Sequence, residues 1–150
     1  MFFPIFTDYS LYARSKNAQN YLYHYSKNVA SIVKPNSFIF SFNLLLAQSN
    51  FILDKNAAME LYSKAHYFDN HKAFKLHLLS TDYIVNNLKN KSYDALVLDH
   101  NRSFYTSVNM TNVFSINEKK IILNEITNNY KLTKVFLDLY GQKIYIYIKK

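Results

Sequence analysis

The run Asp99-His100-Asn101-Arg102 is the densest group of side chains in this sequence that could do chemistry. A carboxylate and an imidazole could serve as an acid/base pair, and the Arg102 guanidinium offers a planar fork for a phosphate or a sugar hydroxyl. Neighbours on an extended segment point to opposite sides, however, and no serine on a strained turn accompanies them, so an ordinary polar loop competes with catalysis here. The other histidines, His24, His66, His71 and His77, show no pair one helical turn apart beside a glutamate, and the spacing predicts no metal site. A single glycine, Gly141, leaves no room for a phosphate-cradling loop, which removes the P-loop and the dinucleotide fingerprint. With no cysteine there is neither a thiol nucleophile nor a disulfide, and no cofactor is implied.

The tyrosines are a second candidate. Tyr21, Tyr23, Tyr25, Tyr140, Tyr145 and Tyr147 carry apolar rings with polar tips, suited to stacking on sugars or to a lipid headgroup layer; core and strand packing is the competing reading. The formal charge of +8 invites a nucleic-acid reading, but it comes almost entirely from scattered lysines, with only Arg14 and Arg102 as arginines. Base-reading forks are therefore scarce, which argues against nucleic acid as a partner.

These side chains need a scaffold, and 150 residues with 49% hydrophobic content suffice for one domain with a real core. From Ser10 to about Lys34 the residues Leu11, Ala18, Leu22, Tyr25, Val29 and Ile32 recur at helical spacing, and Pro35 ends the run. Ahead of it, Met1-Phe2-Phe3-Pro4-Ile5-Phe6 reads either as a hydrophobic staple or as the stub of a preceding membrane helix. No run reaches the roughly 18 to 20 apolar residues needed to cross a bilayer.

Ser37 to Phe42 reads as a strand, Phe51-Ile52-Leu53 as a brief second one, and Ala57 to Lys64 as partly helical. Lys72 to Leu88 fits one helix, although Ser80-Thr81-Asp82 in its middle could equally be the N-cap of a second, shorter one. Ala95-Leu96-Val97-Leu98 looks like a central parallel strand buried on both faces. Ser115-Ile116-Asn117-Glu118 has capping-box spacing and predicts a helix from Ile116 to about Asn129. Thr133 to Leu139 and Lys143 to Ile148 then form a hairpin turning at Tyr140-Gly141-Gln142. The expected fold class is α/β: a mostly parallel small sheet with helices packed on it and a C-terminal antiparallel hairpin. Residues 1–36 would be an amphipathic N-terminal helix, and 37–150 the α/β domain proper.

Ser37-Phe38-Ile39-Phe40-Ser41-Phe42-Asn43, Tyr93-Asp94-Ala95-Leu96-Val97-Leu98-Asp99, Asn129-Tyr130-Lys131-Leu132-Thr133-Lys134-Val135-Phe136 and Tyr140-Gly141-Gln142-Lys143-Ile144-Tyr145-Ile146-Tyr147 follow one another in order. Together they resemble the C-terminal, extracytoplasmic α/β domain of bacterial polytopic glycosyltransferases of the dolichyl-phosphate-mannose protein mannosyltransferase type. That resemblance implies a non-catalytic domain at the extracytoplasmic face of a membrane, which covers the active-site cavity or aids acceptor recognition. Its partners would be the parent protein's membrane helices and a lipid-linked sugar or glycan acceptor. The family's catalytic acid lies in an early loop between membrane helices that nothing here matches, so no catalytic residue carries over. Ligand contacts would fall after the parallel strands, at Asn43 and at His100, Asn101 and Arg102. The alternative function is a free-standing basic binding protein for nucleic acid or a protein partner.

Overall fold

The computed structural model describes residues 5–43, 46–47, 49–58, 79–100, 104 and 114–150, with the backbone alone for 5–15 and 58. Helix α1 (Ile5–Ala30) is followed by strands β1 (Phe38–Ser41) and β2 (Ile52–Leu53) and by the short helix α2 (Lys55–Ala58). Helix α3 (Thr81–Lys89), strand β3 (Ala95–Asp99), helix α4 (Ile116–Asn129) and strands β4 (Tyr130–Leu137) and β5 (Lys143–Lys149) complete the chain.

The five strands form one sheet in the order β2-β1-β3-β5-β4. β1 pairs in parallel with both β2 and β3, whereas β5 runs antiparallel to β3 and to β4. The sheet is therefore mixed, with parallel pairings in one half and antiparallel ones in the other, rather than mostly parallel. The hairpin does not simply add an edge: β5 enters the interior beside β3, and β4 becomes the edge. Side-chain burial explains this placement. Ile144, Ile146 and Tyr147 of β5 are buried, while Lys131, Leu132 and Thr133 of β4 are exposed, and a lysine-bearing strand with a bulge between Leu132 and Lys134 suits an open edge.

Strand β3 is buried along its whole length because helices cover both of its faces. On one face Ala95 and Val97 join Ile39, Ile144 and Ile146 against Tyr25, Val29 and Val33 of the α1 segment. On the other, Leu96 and Leu98 join Phe40 and Tyr147 against Ile84 and Leu88 of α3 and Ile122 and Ile126 of α4. The second half of α1 thus belongs to the same packed unit as the sheet.

Local signals set the helix ends. The Ser80 hydroxyl accepts from the Tyr83 amide, so the shorter of the two expected helices is present; residues 72–78 lie outside the described residues. At α4 the Ser115 hydroxyl accepts from the Glu118 amide while the Glu118 carboxylate accepts from the Ser115 amide, which is the predicted capping box. The Thr81 hydroxyl donates to the same Glu118 carboxylate at 2.7 Å, tying the start of α3 to the start of α4. Of the helix expected over Ala57 to Lys64, α2 holds the beginning, and the remainder lies outside the described residues.

One expectation for α1 fails. Ala18 was placed on the core face, but residues 16–20 are all exposed and packing begins only at Tyr21. The reason is length. A helix of 26 residues spans about 39 Å, and the longest strand has eight residues, about 27 Å, so α1 overruns the sheet.

Asp54 holds the β2 side together. Its Oδ2 accepts from the Tyr93 and Tyr83 hydroxyls at 2.5 and 3.0 Å, and its Oδ1 accepts from the amides of Asn56 and Ala57 at the start of α2. Replacing Asp54 with Ala strands two phenols and two amides, so Asp54→Ala should cost about 3 kcal/mol in chemical denaturation, whereas Tyr93→Phe, which leaves the carboxylate three donors, should cost about 1 kcal/mol.

Candidate functional site

β1 and β3 lie side by side and parallel, so their carboxyl ends share one end of the sheet. The carboxyl ends of parallel strands are where open α/β folds bind ligands. Two sequence candidates stand there. Asn43 is buried two residues past β1, with its amide donating to the Ser41 hydroxyl at 3.1 Å, and His100 follows directly on β3. Asn101 and Arg102 lie outside the described residues.

The pleat separates Asp99 from His100, as neighbours on an extended segment require. Asp99 shares the α1 side with Ala95 and Val97 and accepts a hydrogen bond from the Tyr25 hydroxyl. His100 turns to the α4 side, where its Nδ1 lies 3.0 Å from the Tyr145 hydroxyl, and its backbone amide donates to the Lys143 carbonyl at 2.9 Å. The fold therefore does not bring them together as an acid/base pair.

Around Asp99 the fold gathers residues from distant parts of the chain. The half-buried Tyr21, one helical turn before Tyr25, donates its hydroxyl to Asp138 Oδ2 at 3.1 Å. Asp138 Oδ1 accepts from the amides of Tyr140 and Gln142 at 2.9 and 2.8 Å, so one buried carboxylate both builds the hairpin turn and docks it on α1. The turn needs Gly141 at its positive φ of 75°. It displays Tyr140, 78% exposed, with its ring stacked on that of Tyr21 at 5.3 Å between centroids and 30° between planes.

The electrostatics keep the phenols protonated. Burial pushes the Tyr25 hydroxyl well above the usual tyrosine range, and the nearby Asp99 charge and its hydrogen bond push it further. Tyr21 rises for the same reasons, burial first and then Asp99 and Asp138, while hydrogen bonding from Asn43 works in the opposite direction on both. The result is a buried polar cluster of Asp99, Asp138, Asn43 and Tyr25, edged by the half-buried Tyr21 and capped by the exposed Tyr140 ring. Phenols and turn amides occupy Asp138 and a phenol occupies Asp99, so these carboxylates fasten α1 to the sheet and the turn, and the exposed Tyr140 ring is what the cluster offers to a ligand.

Of these residues, Tyr21, Tyr25 and Tyr140 were among the tyrosines flagged by the sequence as sugar-stacking candidates. Tyr25 and Tyr147 instead serve the core. Asp138 went unread, although an Asp three residues before the lone glycine is the pattern of a side chain bonding back into a turn. Among the described residues no group of three or more His, Asp or Glu side chains gathers as metal ligands would, and no helix is long and apolar enough to cross a membrane.

The fold is a mixed-sheet α/β domain, with a polar, tyrosine-rich cluster at the carboxyl ends of its parallel strands as the candidate site. No protein-family model, curated protein or solved structure matches the chain.

The raised phenols make stability fall at high pH. Below the ordinary tyrosine value of about 10 their contribution is complete; above it the unfolded chain loses protons that the folded chain keeps, and the stability is lost as pH rises toward the folded values. Tyr25→Phe should therefore flatten the alkaline decline by about 1.4 kcal/mol per pH unit, read from denaturation midpoints between pH 10 and 11.5, and the 295 nm phenolate signal that the substitution removes should appear only as the fold melts.

Proposed function

We propose that this chain is the water-exposed, non-catalytic domain of a membrane-embedded glycosyltransferase that takes its sugar from a polyprenyl-phosphate carrier. In this reading the strand-end cluster receives the sugar of the donor or of the glycan acceptor, at the extracytoplasmic face. The observation that carries the reading is the Tyr140 ring, open to solvent and stacked on Tyr21 over the turn that Asp138 builds. A sugar presents an apolar face of C–H groups, and an exposed aromatic ring held in place by a second one matches that face. The order of strand motifs described above points the same way, as does an α1 that runs beyond the sheet. Asn43 and His100 stand at the carboxyl ends of the parallel strands, and Arg102 comes two residues after His100 in the sequence.

The second reading, a basic protein that binds nucleic acid or a protein partner, rests on the net charge of +8. Several of the lysines are engaged in holding the fold, which weakens it. Lys149 pairs with Asp94 at 2.6 Å, Lys134 bonds Asn28 on α1 and Ser31 just past its end, and Lys150 caps the carbonyls of Thr127 and Asn128 at the end of α4.

The parentage is tested on the native product in its own cells, using an antibody to this domain. A large species released only by detergent is expected; an aqueous product of 17.7 kDa would sink the reading. The site is tested on the domain itself by titrating short oligosaccharides: Tyr140→Ala should weaken binding about tenfold with the fold intact, whereas Tyr23→Ala, a comparably exposed ring elsewhere on α1, should leave it unchanged.

A further inference from the structure

Tyr23, Ser26, Lys27 and Ala30 recur on α1 at the three- and four-residue spacing that puts side chains on one helix face, beside the core face of Tyr25 and Val29. Opposite them stand Ser49, Asn50 and Phe51, in the segment that leads into β2, and between the two walls lies an open cleft of about 360 Å³. Because β2 runs parallel to β1, that segment sits at the amino ends of the parallel strands. The cleft is therefore at the end of the sheet away from Asn43, Asp99 and the hairpin turn.

Both walls are held in place. The Ser26 and Ser49 hydroxyls lie 2.6 Å apart and join the helix to the segment directly. The Asn50 carbonyl accepts from the Asn36 amide at 2.6 Å, and the Ile52 amide donates to the Ser37 carbonyl at 3.0 Å, so the stretch after α1 fastens the far wall as well. Small-molecule sites run from roughly 300 to 1,000 Å³, and a cleft formed in advance spares its ligand the cost of ordering the chain.

The lining states the ligand's chemistry. Ala30, Pro35 and the buried Phe51 offer apolar surface, whereas Ser26, Ser49 and Asn50 offer hydrogen bonds. Lys27 is the single charged group among the described lining residues. Its Nζ lies 5.8 Å from the centroid of the Tyr23 ring, and among the described residues no carboxylate pairs with it. Lys134, Lys149 and Lys150, by contrast, are engaged by oxygen atoms of the fold. An ammonium carries three donors and a ring face meets one side of it, so Lys27 keeps donors for an anion. In the serine pair one hydroxyl donates to the other, and the second hydrogen is left for a further acceptor.

We infer that this cleft binds a small organic anion, whose carboxylate or phosphate head meets Lys27 and the serine pair while an apolar body covers Phe51, Ala30 and Pro35. The site is separate from the strand-end cluster and does not depend on the glycosyltransferase reading.

The full chain is titrated with phenyl phosphate, benzoate and benzyl alcohol, which share a ring and differ in its head, and the backbone amide shifts are followed by NMR. Saturable shifts centred on Ser49, Asn50 and Phe51 are expected with at least one of the two anions and not with the uncharged alcohol; the tighter anion identifies the head. Lys27→Gln should weaken binding about tenfold and Lys27→Arg should retain most of it. Lys131→Gln, the same loss of charge at an exposed position on the far edge strand β4, should leave binding unchanged. Lys27 is itself exposed, so its variants keep the fold, which the rest of the amide spectrum verifies. The absence of saturable shifts at residues 49–51, equal losses in Lys27→Gln and Lys131→Gln, or benzyl alcohol binding as tightly as the anions would each overturn the site.

Discussion

Everything in this domain depends on β3 being out of water on both faces. Ala95 to Asp99 is the middle of the sheet, and five consecutive buried residues can exist only if each face has its own cover. That requirement places α1 on one side and α3 with α4 on the other, and it divides the core into two clusters that share the strand but alternate its side chains. It also determines where polar groups can go. The backbone of β3 is satisfied by β1 and β5, and polar side chains appear only where the strand stops, at Asp99 and His100.

Buried aspartates paired with tyrosines are the second organising device. Asp54 takes the hydroxyls of Tyr83 and Tyr93, Asp99 takes that of Tyr25, and Asp138 takes that of Tyr21. A carboxylate in a core needs donors, and a phenol supplies one while contributing a large apolar ring, so the same residue fills volume and neutralises the polar cost. Each pairing joins elements far apart in the chain: α1 to the hairpin turn, α1 to the end of β3, and the β2 side to α3 and β3. Ordering of the strand-end cluster is therefore a consequence of how the sheet is fastened to its helices.

Which parts were legible beforehand follows from the range of the forces involved. The Ser115 and Glu118 box, the Ser80 cap, the apolar run at Ala95 to Leu98 and the turn at Gly141 were all readable, because each is decided within a few residues by hydrogen bonds or sterics of the chain with itself. The separation of Asp99 from His100 was readable for the same reason. The position of β5 between β3 and β4 was not, since a hairpin has the same local pattern whichever of its strands pairs inward, and the choice turns on the burial of Ile144 and Ile146 against α1. Nor was the exposure of Ala18, whose helical spacing matched the core face but whose height exceeds that of the sheet.

By itself, then, the sequence determined an α/β chain with helices alternating with strands, a central strand buried on both sides, a lone-glycine hairpin at the end, and a stock of tyrosines able to serve either core or ligand. Tertiary structure decided which tyrosines do which. It left Tyr140 outside on Tyr21, sent Tyr25 into the core, and joined Tyr21 to Asp138 across 117 residues of chain. The physical reason is that a side chain's partner across such a distance is selected by the stacking of whole elements, through burial summed over many residues, and no local pattern records that sum.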